Sequence, residues 1–160
     1  MPAWLNRSDI AERHVYDMVF PKFLTGTTDI DDSAQTDTTA FQILEIAPVT
    51  NYPLADVEIV FDLAKATTGF AAVETSITAQ FALARKVDGT NWRREAYVEA
   101  ALSGTNAANR AMRLNAGSVR VTEGLRVYVV FSSDVTGDME IPYVISYKGL
   151  VEPTVTAVAA

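Results

Sequence analysis

The chain alternates apolar and polar residues most regularly between Gly124 and Gly149. Two segments there, Leu125–Ser132 and Met139–Lys148, have an apolar residue at almost every second position. Successive side chains of an extended strand point to opposite faces, so each segment presents one apolar face. The pattern therefore predicts two strands whose apolar faces line a core.

Similar alternation begins at Ala40 and predicts six more strands, separated by residues typical of turns. Asp88-Gly89 is the strongest hairpin signal, because both residues tolerate the positive φ angles of a tight turn. A second turn is predicted at Asn115–Gly117. The six strands are Ala40–Ala47, Asp56–Ala64, Thr75–Val87, Asn91–Leu102, Asn109–Leu114 and Ser118–Thr122. Two core rows are predicted on them, Val57, Ile59, Phe61 and Leu63 on one strand and Ile77, Ala79, Phe81 and Leu83 on another.

The N-terminal segment has a different pattern. Asp9 and Glu12 have the spacing of a capping box, and apolar residues then recur at helical spacing until Pro21. This predicts a short helix over Ser8–Phe20. The following residues, Thr25–Thr39, are polar and acidic, which predicts a loop or an extended arm because little apolar surface offsets the entropy of ordering.

Together these elements predict an all-β fold, a β-sandwich of jelly-roll type with about eight strands, a short N-terminal helix and an extended arm. The expected organisation is a helix and arm over 1–39, a sandwich domain over 40–150 and an extended tail over 151–160. The tail is rich in Val, Thr and Ala. It fits either a strand added to the sheet of another chain or a final strand on the protein's own sheet.

Composition narrows the possible partners. The 160 residues include 20 acidic and 13 basic side chains, for a net charge of −7, which repels nucleic acid. No secretion signal or membrane span is visible, so synthesis in the cytoplasm is expected. A local basic cluster is interpreted as solvated charge around the predicted hairpin; it comprises Arg85, Lys86, Arg93 and Arg94.

Candidate chemistry is sparse. There is no cysteine, and the one histidine, His14, has no indicated nucleophile or partner, so a structural role is expected and no catalytic residue is assigned. Asp29–Asp37 contains four aspartates, which suggests a calcium site. However, Ala34 and Ala40 occupy the positions at which an EF-hand loop needs Gly and Glu. A solvated acidic loop is expected, with no metal and no cofactor.

Large apolar residues flank the predicted helix, and they fit either of two roles. They cover the open end of their own sandwich, or they dock onto a neighbouring subunit. These candidate partner-binding residues are Trp4, Leu5, Phe20, Phe23 and Leu24. Arg126 and Tyr128, on the non-core face of their strand, are predicted as further partner contacts, because a rigid, unreactive face can be buried by a neighbour.

A cysteine-free acidic domain with an arm over Met1–Thr39 and a strand series over Ala40–Lys148 resembles the head decoration, or cement, proteins of tailed bacteriophages. The resemblance implies a non-enzymatic homo-dimer or homo-trimer on the capsid exterior, made in the host cytoplasm. It implies that the protein bridges neighbouring subunits of the major capsid protein. No individual residue is carried over from that family.

A carbohydrate-binding jelly-roll module is the alternative, because jelly rolls also host sugar sites. Such a site needs aromatic side chains aligned on an exposed face. The candidates are Trp92, Tyr97, Tyr128, Tyr143 and Tyr147. Tyr143 and Tyr147 follow the predicted core row, which leaves few aromatics for a sugar platform.

Overall fold

The computed structural model describes residues 19–30, 41–49, 52–62, 77–86, 88, 90–102, 111–119, 124–131 and 139–157. Within these ranges the chain forms β-strands. They are β1 (Lys22–Ile30), β2 (Phe41–Ala47), β3 (Leu54–Asp62), β4 (Ile77–Lys86), β5 (Trp92–Leu102), β6 (Ala111–Val119), β7 (Leu125–Phe131), β8 (Met139–Lys148) and β9 (Thr154–Ala157).

The strands form two antiparallel sheets. One is four-stranded, in the order β1-β8-β3-β6, and the other is five-stranded, in the order β5-β4-β7-β2-β9. Strand β1 pairs with β8, β2 with β7, β3 with β6 and β4 with β5. This nested pairing is that of one long hairpin, with its tip between β4 and β5, rolled into two layers. The predicted jelly-roll sandwich is confirmed.

The core lies between the two sheets and is built from the alternating apolar residues. Phe61 of the four-stranded sheet stacks on Phe81 of the five-stranded sheet, with ring centroids 5.4 Å apart, and Tyr143 meets Phe61 edge-on at 6.4 Å. The predicted rows are confirmed where their side chains are described; these are Val57, Ile59, Phe61, Phe81, Leu83, Leu125, Val127, Val129, Ile141, Tyr143, Ile145 and Tyr147. The alternation of apolar and polar residues thus assigned the core face of these strands correctly, since each strand is covered by the other sheet on one side.

The predicted loop or arm over Thr25–Thr39 is wrong for residues 25–30, because Lys22–Ile30 is strand β1. Its register with β8 is uninterrupted from Lys22 opposite Tyr147 to Ile30 opposite Met139. The segment reads as polar because its outer face is exposed and its inner face includes small residues. Gly26 leaves space for the Tyr143 ring, where a Cβ would lie 2.7 Å from Cζ. The predicted helix over Ser8–Phe20 lies outside the described residues apart from Val19 and Phe20.

The predicted turn at Asn115–Gly117 is also wrong, because β6 continues through it. Gly117 has φ of 62° and its N–H donates to Asn115 Oδ1 at 3.0 Å. The register between β6 and β3 shifts on both sides of Val57. The turn-forming residues therefore make a bulge, in which glycine supplies the left-handed conformation, instead of a chain reversal.

The hairpin predicted at Asp88-Gly89 is confirmed by the antiparallel pairing of β4 with β5. Asp88 accepts hydrogen bonds from the backbone N–H of Thr90 and Asn91, at 3.0 and 2.7 Å, and from Asn91 Nδ2 at 2.8 Å. The Asn91 side chain, followed by the backbone N–H groups, lowers the pKa of Asp88 from 3.8 to about 2. The aspartate thus acts in its charged form as the acceptor that fixes the turn.

The C-terminal segment pairs with its own molecule. Strand β9 lies beside β2, with Leu44 opposite Ala157 and Ala47 opposite Thr154. Val155 and Ala157 pack against the core. Of the two alternatives for this segment, a final strand on the protein's own sheet is the one observed.

Polar bonds join the two sheets near opposite margins of the sandwich. On one side, buried Thr28 of β1 donates its hydroxyl to the carbonyl of Ile43, at 2.5 Å, where β2 bulges. On the other, Arg85 of β4 donates Nη1 to Ser118 O at 2.6 Å and Nη2 to Ala116 O at 2.5 Å. Arg85 is therefore an inter-sheet contact, and its interpretation as a solvated charge is wrong, since 18% of its side chain is exposed.

Candidate functional site

The candidate site is the outer face of the five-stranded sheet, the side away from the core. Strand β7 places it there by alternation: Leu125, Val127 and Val129 enter the core, so Arg126 and Tyr128 point outward. Side chains of β2, β4 and β5 that pair with these positions share the face. We call this group the cation–aromatic layer; it comprises Gln42, Glu45, Lys86, Trp92, Arg94, Arg126 and Tyr128.

An ion pair lies at the centre of the layer. Arg126 and Glu45 are directly opposite each other on β7 and β2, and Arg126 Nε donates to Glu45 Oε2 at 2.9 Å. Gln42 Nε2 donates to the same oxygen at 3.3 Å. Burial opposes the charge of the guanidinium, but hydrogen bonds with Glu45 and Tyr128 outweigh it and raise the pKa of Arg126. The pair is half-buried and is held in one geometry by its neighbours.

Trp92 forms the second part of the layer. The Arg126 guanidinium carbon lies 3.9 Å from the Trp92 ring centroid, and Lys86 Nζ lies 5.8 Å from it. The ring reaches over Gly124, where a Cβ would stand 3.0 Å from Trp92 Cη2. Two cations therefore contact the π system of one indole, an arrangement that stabilises both the ring and the cations.

Tyr128 and Arg94 form the third part. The Arg94 guanidinium carbon lies 5.1 Å from the Tyr128 ring centroid. On the intervening strand β4, Ala82 pairs with Tyr128 and Ala84 pairs with Arg94, and both alanines are fully buried although they point outward. Because these alanines are small, the larger side chains of β5 and β7 lie over them, and the cation–aromatic layer covers the sheet.

The layer provides a rigid surface of guanidinium groups and aromatic rings. Arg, Trp and Tyr are the side chains enriched at the energetic centres of protein interfaces, because they bury much area at little conformational cost. Their positions here are fixed by each other before any partner binds, which lowers the entropic cost of association. The arrangement suits a protein surface better than a sugar, because guanidinium groups already occupy faces of the Trp92 and Tyr128 rings.

The predicted partner-binding residues fall in two places. Phe23, exposed by 64%, lies at the start of β1 in the four-stranded sheet, and Phe20, exposed by 51%, lies just before that strand. Arg126 and Tyr128 lie on the five-stranded sheet, so the structure does not bring the two pairs together. Leu24 faces inward and packs against the core. Trp4 and Leu5 lie outside the described residues.

Sequence reasoning did not connect Arg126 with Glu45, Trp92 or Arg94. The four residues come from three strands that are distant in sequence, and only the strand register makes them neighbours. The basic residues around the hairpin gave a partial signal, but Lys86 and Arg94 contact aromatic rings and are not merely solvated charges. Of the aromatics considered for a sugar site, Tyr143 and Tyr147 are buried in the core.

Acidic side chains also occur elsewhere in the described part of the chain. No group of three or more His, Asp or Glu residues there is placed to hold a metal ion. Asp29 lies in β1, whereas Asp31, Asp32 and Asp37 fall outside the described residues. None of the described helical residues belongs to a helix long and apolar enough to cross a membrane.

No family model matches the sequence. No curated protein matches it either. A solved structure of infectious bursal disease virus, Gx strain, contains a chain that is similar to this one with a TM-score of 0.34 and 10% sequence identity. The similarity covers 85% of this chain and 39% of that chain, and at this strength it carries no argument about fold or function.

Proposed function

We propose that this chain is a non-enzymatic structural protein of a virion, and that it decorates or cements a bacteriophage capsid by bridging neighbouring coat subunits. The observation that carries the proposal is the cation–aromatic layer on the outer face of a jelly-roll sandwich. Jelly rolls recur in viral capsid and lectin domains. A flat, preorganised layer of Arg, Trp and Tyr suits the role of a fixed contact between protein subunits.

In this proposal the layer contacts the major capsid protein on the capsid exterior, and the protein acts as a homo-oligomer made in the host cytoplasm. Arg126 and Tyr128 are central contacts, since the first is ion-paired and stacked and the second carries the Arg94 guanidinium. Exposed Phe23 on the other sheet, with exposed Phe20 just before its strand, provides a separate apolar contact. Two contact regions on different sheets would let one molecule join two neighbours.

The test is co-sedimentation with particles assembled from the major capsid protein of the virus that encodes this chain. We expect the wild-type protein to bind and an Arg126→Met/Tyr128→Ala variant to bind at least about tenfold more weakly, the loss typical of interface anchors. Arg113→Met is the matched control, because Arg113 pairs with Glu58 at 3.3 Å on the outer face of the other sheet. The proposal is wrong if the wild type does not bind, or if the double variant melts normally and binds like the wild type.

A carbohydrate-binding module is the second candidate, favoured by Trp92 and Tyr128 lying on one outer face. Stacking of a sugar on Trp92 would require the Arg126 guanidinium to leave the ring. Titration with a panel of glycans, followed by tryptophan fluorescence, separates the candidates. Saturable quenching that is lost in Trp92→Ala would support the module, whereas no response would favour the virion protein.

A further inference from the structure

The two outer faces of the sandwich differ in charge. On the four-stranded sheet, the described part of the chain places five carboxylates and two cations on the side away from the core. The cations, Arg113 and Lys148, are each paired with one of the carboxylates. The outer face of this sheet is therefore negative, in keeping with the net charge of −7. The five carboxylates are those of Asp29, Asp56, Glu58, Asp62 and Glu140.

The cation–aromatic layer makes the outer face of the five-stranded sheet positive. Its one carboxylate, that of Glu45, is bonded to Arg126 at 2.9 Å. The strand register also places Glu99 on this face, but opposite Gln80, roughly 20 Å along β4 from Lys86. Positive charge is thus concentrated in the layer, whose three cations are Lys86, Arg94 and Arg126.

The ring contacts of the layer are compatible with hydrogen bonds to a partner. A guanidinium stacks on an aromatic ring through its face, whereas its N–H donors lie in its plane. Arg94 is exposed and lies 5.1 Å from the Tyr128 ring centroid. The Lys86 ammonium, 5.8 Å from the Trp92 centroid, has three donors. Such charged donors make their strongest hydrogen bonds with anionic acceptors.

Nucleic acid, which is also an anion, fits this layer poorly. Proteins that bind single strands stack the bases on aromatic rings. Here guanidinium groups already contact the Trp92 and Tyr128 rings, at 3.9 and 5.1 Å. The net charge of −7 also repels a phosphate backbone. Carboxylates presented by a protein are therefore the anions that suit the layer.

A second copy of this chain is a poorer partner than a different protein. The negative outer face of the four-stranded sheet complements the layer in charge, but the two faces lie on opposite sides of the sandwich. Repeating a contact between them stacks copies in one direction, which gives an open filament instead of a closed oligomer. The net negative charge also keeps copies apart.

We propose that the cation–aromatic layer binds an acidic segment of a different protein, and that Lys86 and Arg94 bond the carboxylates of that segment. In the proposed function, on which this inference rests, the partner is the major capsid protein, and the acidic segment belongs to its surface. The five-stranded sheet then faces the partner, and the negative four-stranded sheet is turned away from it. Arg126 has a different role, because Glu45 neutralises it and holds it beside Trp92.

The first test uses no particles. A fluorescently labelled hexaglutamate peptide is titrated with the full-length protein at low salt, and binding is followed by fluorescence anisotropy. The wild type should bind the peptide saturably. Lys86→Gln/Arg94→Gln should bind it at least about fivefold more weakly, because two charged contacts are lost.

The matched control is Arg113→Gln/Lys148→Gln, which removes the same amount of positive charge from the opposite outer face. It should bind the peptide like the wild type, and urea unfolding shows whether both variants are folded. Absence of saturable binding by the wild type, or equal weakening in the two variants, would overturn the inference. So would tighter binding of a labelled oligothymidylate of equal charge, which would identify the layer as a nucleic-acid site.

A second copy as the partner is tested by light scattering. A wild-type mass that rises as salt is lowered, and does not rise in Lys86→Gln/Arg94→Gln, would also overturn the inference. Co-sedimentation separates it from the proposed function. If the wild type binds the peptide as expected but does not bind particles, the capsid role is refuted and the acidic specificity is supported. If it binds particles but not the peptide, the capsid role stands and the acidic specificity is refuted.

Discussion

Replacing Arg85 with methionine should destabilise the fold much more than the same change at an ordinary surface arginine. Methionine keeps most of the aliphatic stem but removes every hydrogen-bond donor. The variant therefore loses the bonds to Ala116 O, Ser118 O and Glu95 Oε1, at 2.5, 2.6 and 2.9 Å. Two of these bonds join β4 to β6 in the opposite sheet.

The size of the effect follows from the surroundings of each bond. The bond to Ala116 is partly buried and charge-assisted, which makes it worth about 1.5 to 2 kcal/mol. The bond to Ser118 and the ion pair with Glu95 are exposed and contribute about 0.5 to 1 kcal/mol together. We therefore expect Arg85→Met to lower the free energy of unfolding by about 2 to 3 kcal/mol. For a chain of this length, the melting temperature should fall by about 5 to 10 °C.

The assay is equilibrium unfolding in urea, with equal m-values required for the comparison. Arg113→Met is the control, because its side chain is 69% exposed and its ion pair with Glu58 should contribute at most about 0.5 kcal/mol. Arg85→Lys should fall between wild type and Arg85→Met, since an ammonium cannot reproduce the planar fork of donors. If Arg85→Met and Arg113→Met destabilise equally, the inter-sheet role of Arg85 is refuted.

Two further predictions concern β1 and the hairpin tip. Gly26→Ala should lower the free energy of unfolding by about 1 to 3 kcal/mol, because its Cβ overlaps the Tyr143 ring and hydroxyl; Tyr143→Phe in the same chain should recover part of this loss, and strict additivity in the double-mutant cycle would contradict the contact. The folded pKa of Asp88, about 2, lies below its ordinary 3.8, so its stabilisation is present above about pH 4 and is lost as pH falls toward 2. The stability difference between wild type and Asp88→Ala, measured by urea unfolding at several pH values, should narrow over that range, and a constant difference would contradict the prediction.

Alternation predicted strands well where one face of the strand is core and the other is solvent. Strands β3, β7 and β8 are of this kind, and their inner rows were assigned correctly. The same reasoning failed for β1, whose inner positions include Gly26 and Thr28. Gly26 is small because the Tyr143 ring fills the space above it, and buried Thr28 is satisfied by Ile43 O. Both reasons depend on residues of other strands, Tyr143 of β8 and Ile43 of β2, so the pattern within β1 does not reveal them.

For a similar reason, the sequence predicted only part of the candidate site. Period two placed Arg126 and Tyr128 on the non-core face, as observed. It gave no means of finding that Glu45 lies opposite Arg126 or that Trp92 reaches over Gly124. Those contacts depend on which strands are neighbours and in what register, and charged or aromatic residues at exposed positions carry little local signal about their partners.

The sequence by itself determined the all-β class, the core faces of most strands and the hairpin at Asp88. These follow from local chemistry: side-chain alternation, burial of apolar groups and the backbone preferences of Asp and Gly. The tertiary structure alone decided that residues 22–30 are a strand, that Asn115–Gly117 is a bulge, and that Arg85 bonds β4 to β6 in the opposite sheet. Each of these depends on groups supplied by strands distant in sequence, because an edge, a bulge or an inter-sheet bond exists only once two parts of the chain have paired.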